Sequence, residues 1–82
     1  MKTRDAVANR IYALCDERGW SPNHLSYESD VPQSTIKSIL LGESKNPGIV
    51  TIKKICEGFN ISLSDFFISP EFEVLDDEQD LS

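Results

Sequence analysis

Between Ser21 and Gly42 the chain reads SPNHLSYESDVPQSTIKSILLG, and its punctuation leaves the backbone little choice. Ser21 is a strong N-cap. Pro22 suits the first helical position, where its missing N–H costs nothing. A short helix is expected over about residues 22–29. Asp30 then suits a turn, since Asp tolerates left-handed dihedrals better than most residues. Pro32 opens a second run and Gly42 closes it, which bounds a helix at about residues 33–41. That helix carries Ile36, Ile39 and Leu40 on one face. About three residues, Asp30 to Pro32, join the two helices.

The flanking segments obey the same helical rule. Val7, Ile11, Leu14 and Cys15 fall at i, i+4, i+7 and i+8, and Gly19 ends their helix. After the loop ESKNPG, a fourth helix is expected through Val50, Ile52, Ile55, Cys56 and Phe59, up to Asn60. Ser62 with Asp65 three residues on resembles a capping box, with Asp in place of the usual Glu. It opens a last short helix through Leu63, Phe66 and Phe67, which Pro70 closes. Sustained alternation and Asn-Gly hairpin signals are missing, so strands are not expected. The expectation is one compact all-α domain of five short helices.

At 82 residues the chain suits one small core and leaves little room for a deep active site. It has no apolar run near the ~18 residues that span a membrane. The start, MKTRDAVANR, lacks a signal-peptide core. Cys15 and Cys56 are therefore expected to be reduced, in a cytoplasmic protein. Their apolar neighbours favour buried thiols over a redox pair. His24 has no second ligand at metal spacing, so neither metal nor cofactor is expected. The phosphate-cradling glycine loop and the histidine beside a nucleophile that enzymes would need are also missing.

The net charge of −6 looks wrong for a nucleic-acid binder, but it is unevenly placed. In residues 1–70 eight bases balance eight acids, and the whole deficit lies in EFEVLDDEQDLS, residues 71–82. The expected organisation is a neutral domain, 1–70, and an acidic tail, 71–82. High charge favours a loose, solvating tail. Yet Phe72, Val74 and Leu75 are more apolar than solvation needs. The alternatives are packing on the fifth helix, a dimer contact, or a fold over the binding face as a phosphate mimic.

Helix, tight turn, helix is the arrangement in which a second helix enters the DNA major groove, although short helix pairs are common for other reasons. Sequence detail adds to it. From about Arg10 to Phe67 the chain resembles the phage repressor, Cro and xenobiotic-response type of helix-turn-helix regulators. The matching points are STI at the head of the third helix, Gly42 after it, Pro47 in the loop, and TIKKICEGFNISLSDFF beyond. The resemblance implies a lambda-repressor-like five-helix fold and a transcriptional regulator of double-stranded DNA, a repressor before an activator.

By the same resemblance, Gln33, Ser34, Lys37 and Ser38 would read bases. Gln33 is the sharpest, because its amide can pair bidentately with adenine. Ser21, Asn23, Thr35, Lys45 and Asn46 would hold phosphates, with the backbone amides near Gly48. A homodimer is implied through the fifth helix and the residues after it, at Phe66, Phe67 and Ile68. The small size suggests no separate small-molecule site, and without a long apolar run no membrane partner is expected.

Three positions depart from the family's pattern. Pro22 stands where a glutamine is frequent, and Asp30 where the turn usually has glycine. Cys15 and Leu40 stand where many members pair an arginine with an acid. Replacing both partners of a buried ion pair by apolar groups is often neutral, so the two are expected to touch.

Blander readings stand beside these. Gln33, Ser34 and Thr35 also fit ordinary helix-start chemistry. Lys53 and Glu57 fit an exposed i, i+4 pair. Trp20 and Tyr27 fit covers for a small core better than bases to stack on. The neutral domain also suits a protein-binding module on the same fold.

Overall fold

The computed structural model describes residues 1–44 and 46–78. Five α-helices run in order: α1 Thr3–Arg18, α2 Pro22–Ser29, α3 Gln33–Leu40, α4 Ile49–Phe59 and α5 Leu63–Phe67. A 3-10 turn, Pro70–Glu73, comes after them. This is the all-α five-helix domain expected.

Local chemistry sets the helix ends. The Ser21 hydroxyl accepts the His24 backbone N–H at 3.1 Å, with Pro22 at the first helical position. At Gly19 (φ 68°) the Trp20 N–H returns to the Cys15 carbonyl and the Gly19 N–H to Asp16. The same double closure occurs at Gly42 (φ 74°) and at Asn60 (φ 60°). Each satisfies carbonyls the last helical turn leaves unpaired. Asp30 adopts the left-handed conformation (φ 57°) a turn glycine would. Ser62 accepts the Asp65 N–H at 3.0 Å, so that half of the capping box is made. The reciprocal bond from Ser62 N–H to the Asp65 carboxylate is not formed among the described residues.

The core draws Val7, Ile11, Leu14 and Cys15 from α1, Leu25 from α2, Ile36, Ile39 and Leu40 from α3, and Ile52, Ile55, Cys56 and Phe59 from α4. Val31 in the turn and Phe66 in α5 complete it. Cys15 and Leu40 are thus both buried in one apolar cluster. Burial pushes both thiols, Cys15 and Cys56, above their ordinary range. Trp20 covers the cluster as expected, stacked on Phe59 at 5.3 Å. Arg18 lies over both rings.

Two expectations need correction, those for Tyr27 and Phe66. Tyr27 covers nothing: it is 82% exposed, because the buried side of α2 is taken by Leu25 and Ser29. Val50 lies in α4 as expected, on its solvent side. Phe66, expected at a dimer surface, is fully buried, leaving only Phe67 and Ile68 exposed there. Phe72 in the 3-10 turn rests against Phe67 at 4.9 Å and Phe66 at 6.1 Å, so the tail's first residues pack beside α5.

Candidate nucleic-acid interface

The turn between α2 and α3 is held from both sides. Ser26 Oγ donates to the Val31 carbonyl, and the buried Val31 side chain anchors the turn in the core. Pro32 precedes α3 in extended conformation and supplies no side-chain cap. The Thr35 and Ile36 N–H groups return to the Pro32 carbonyl. The N–H groups of Gln33 and Ser34 precede any intrahelical partner and so stay available.

With Ile36, Ile39 and Leu40 turned inward, positions 33, 34, 37, 38 and 41 form the outer face of α3. Gln33, Ser34 and Lys37 are exposed, while Thr35 and Ser38 are half-buried. None of these five side chains makes a hydrogen bond among the described residues. Ordinary helix-start capping therefore does not occupy Ser34 and Thr35. The Ser34 hydroxyl and the Gln33 amide face outward unspent, and the half-buried Thr35 hydroxyl has no partner among the described residues.

An open groove of about 510 Å³ runs beside this face. Its walls are Tyr12 of α1, Pro22 and Asn23 of α2, and Gln33, Ser34, Lys37, Leu40 and Leu41. The fold therefore brings Asn23 together with Gln33, Ser34 and Lys37, four residues expected at the interface from sequence. Ser21 precedes Asn23 and is exposed; its oxygen accepts one bond, but its O–H remains free to donate. Asn46 is exposed in the loop after α3. Lys45 lies outside the described residues. The start of α4 has Gly48 at its cap and no side-chain cap, so its first N–H groups are open, as expected near Gly48.

Asp30 does not enter this groove. It lines a second one with Glu28, Val50, Lys53, Lys54 and Glu57. Lys53 is paired with Glu57 at 3.2 Å, both exposed, as their i, i+4 spacing suggests.

Tyr12 and Leu41 were not singled out from sequence. Leu41 was legible: it stands four residues after Lys37 and eight after Gln33. Tyr12 comes directly after the buried Ile11, and only the placement of α1 beside α3 brings it to the groove.

A capped short helix, a tied turn, and a second helix with an unspent polar face define a helix-turn-helix domain. The particular kind comes from comparison. Residues 10–71 match the model of the Cro/C1-type HTH DNA-binding domain, and the chain belongs to that family. It is similar to the crystal structure of the prophage Lp1 protein 11, with 32% sequence identity and a TM-score of 0.78. The match covers 92% of this chain and 100% of that one. No curated protein matches. Among the described residues, no helix is long and apolar enough to cross a membrane.

Proposed function

We propose that the protein is a transcriptional regulator, and a repressor, that binds duplex DNA sequence-specifically with α3 in the major groove. The supporting observation is the groove that joins Asn23 to Gln33, Ser34 and Lys37, with every one of those side chains free of hydrogen bonds among the described residues. In this reading Gln33, Ser34, Lys37 and Ser38 meet base edges. Ser21, Asn23, Thr35, Lys45 and Asn46 meet phosphates on either side, and the open N–H groups at the start of α4 add a further anion contact.

One such face reads only a few base pairs. The protein therefore acts as a homodimer on a pseudo-palindrome, with half-sites about one helical turn apart. Phe67 and Ile68, 37% and 73% exposed at the end of α5, are its contact.

A second reading has one specific support. Among the described residues, Lys37 is the single charged one in the groove, and this suits a protein partner better than a polyanion. Selection of genomic fragments by the purified protein, at low and moderate salt, separates the two. An enriched motif with two-fold symmetry supports the dimeric regulator. Failure to enrich any sequence at either salt removes the DNA reading in favour of the protein partner.

A further inference from the structure

Through Glu78 the acidic tail runs from α5 to the start of α1 as a strap. At one end Phe72 leans edge-on against Phe67, with ring centroids 4.9 Å apart. At the other end the Asp76 N–H donates to the Met1 carbonyl at 2.9 Å. The Thr3 N–H and hydroxyl both donate to the Glu78 carboxylate, the hydroxyl at 2.6 Å. Lys2, at the cap position of α1, supplies no side-chain cap. Glu78 fills that need from 75 residues away, satisfying an N–H that the helix leaves without a partner. Phe67, with Phe72 on it, is 37% exposed, against 73% for Ile68 beside it.

The strap also brings charge to this end of the domain. Residues 71–78 hold five acids and no base. Among the described residues, only Asp76 of the five has an ion-pair partner, the Met1 ammonium at 2.8 Å. Glu73, next in the chain to Phe72, is exposed, and so is Asp77. Arg10 gives its guanidinium to the carbonyls of Asp65 and Phe66. A two-fold interface brings the same patch of both copies together. Two copies that meet at Phe67 and Ile68 therefore bring two acidic straps close to each other, and like charges juxtaposed at an interface oppose association. Resting on the dimer reading above, we propose that residues 70–78 are an autoinhibitory strap, which shields Phe67 and holds back pairing with a second copy until it is displaced or its charge is screened.

Sedimentation equilibrium of the full chain, at low and moderate salt, tests this with two double variants. Thr3→Val with Glu78→Ala opens the clasp on α1. Glu73→Gln with Asp77→Asn removes charge and leaves the clasp bonds in place. Each should tighten the dimer about fivefold at low salt, the scale of exposed charge pairs counted twice by the two-fold symmetry. Moderate salt should tighten the wild-type dimer by screening the straps. It should tighten the dimer of the charge variant less.

A variant that dimerises no more tightly than the wild type overturns the inference. Weaker pairing in both variants would make the strap part of the interface instead of its brake. A wild-type dimer that salt loosens overturns the inference as well. These outcomes leave the dimer reading intact. That reading fails separately if neither the wild type nor either variant self-associates at any concentration or salt, and the role of the strap fails with it.

Discussion

Arg10 of α1 ties down the end of α5 by donating through Nε to the Phe66 carbonyl at 2.7 Å. Its Nη2 also donates to the Asp65 carbonyl at 2.8 Å. A five-residue helix does not hold itself together in water. The planar guanidinium satisfies two carbonyls at once and brings positive charge to the negative end of the helix. Hydrogen bonds from a charged group contribute more than neutral ones, so Arg10→Ala should cost about 2–3 kcal/mol. Arg10→Lys, with a point charge and no fork, should recover less than half of it. Urea unfolding midpoints of the three proteins decide the matter. An unchanged midpoint for Arg10→Ala would mean that burial of Phe66 alone fixes α5.

At Gly58, α4 packs tightly against α2. A Cβ at this position would lie 2.9 Å from the Cα, Cβ and N atoms of Ser29. Alanine normally improves a helix interior by about 0.5–1 kcal/mol over glycine. Here backbone stands in the way, and overpacking of this kind costs about 1–3 kcal/mol. Gly58→Ala should therefore destabilise the protein, against its helix propensity. It should also displace α2, which carries Asn23 toward the groove, and so weaken DNA binding in the fully folded protein. A thermal melt together with a binding titration well below the melting temperature would show both effects. A more stable Gly58→Ala protein would contradict the packing argument.

Local chemistry was legible in the sequence wherever a residue acts on its own neighbours. Ser21 caps the third residue after it, and Asp30, Gly42 and Asn60 each take the left-handed turn their type allows. The core stripes of α1 and α3 came from helical spacing alone. Choices set by distant packing were not legible. Phe66 and Phe67 are adjacent aromatics, and the packing of α5 against α4 decides which one is buried. Arg10 reads as one more surface base, because its partners lie 55 and 56 residues away. Tyr27 has the composition of a core cover, yet the helix it rides on buries its other side. The site was read more fully than its rim, since Gln33, Ser34 and Lys37 carry polar chemistry that an apolar Leu41 does not advertise.

Base reading and phosphate holding make different demands on a variant. Gln33→Ala should cost about 1–3 kcal/mol on the preferred operator and relax the preference at a single base pair. If it instead weakened all sequences equally, Gln33 would not be reading bases. Lys45→Ala should weaken all sequences by a similar factor and reduce the slope of log affinity against log salt by about 0.9 per protomer. A Lys45→Ala protein with an unchanged slope would remove that residue from the phosphate contacts.

Cys15 and Leu40 offer the sharpest test of how this chain departs from its family. Both are buried in one cluster, at the positions where the resemblance to helix-turn-helix regulators implies an arginine and an acid. Two apolar groups there avoid the desolvation that a buried ion pair must overcome. A single Cys15→Arg substitution buries a charge beside a leucine that cannot answer it, and should cost about 3–5 kcal/mol. Leu40→Glu alone should be comparably damaging. If the two side chains touch, the double variant recreates the pair, and its loss should fall short of the sum by at least about 1 kcal/mol. Denaturant unfolding of the four proteins measures that coupling. Additive losses would show that the positions do not face each other, and the two departures would then be unrelated substitutions in the same core.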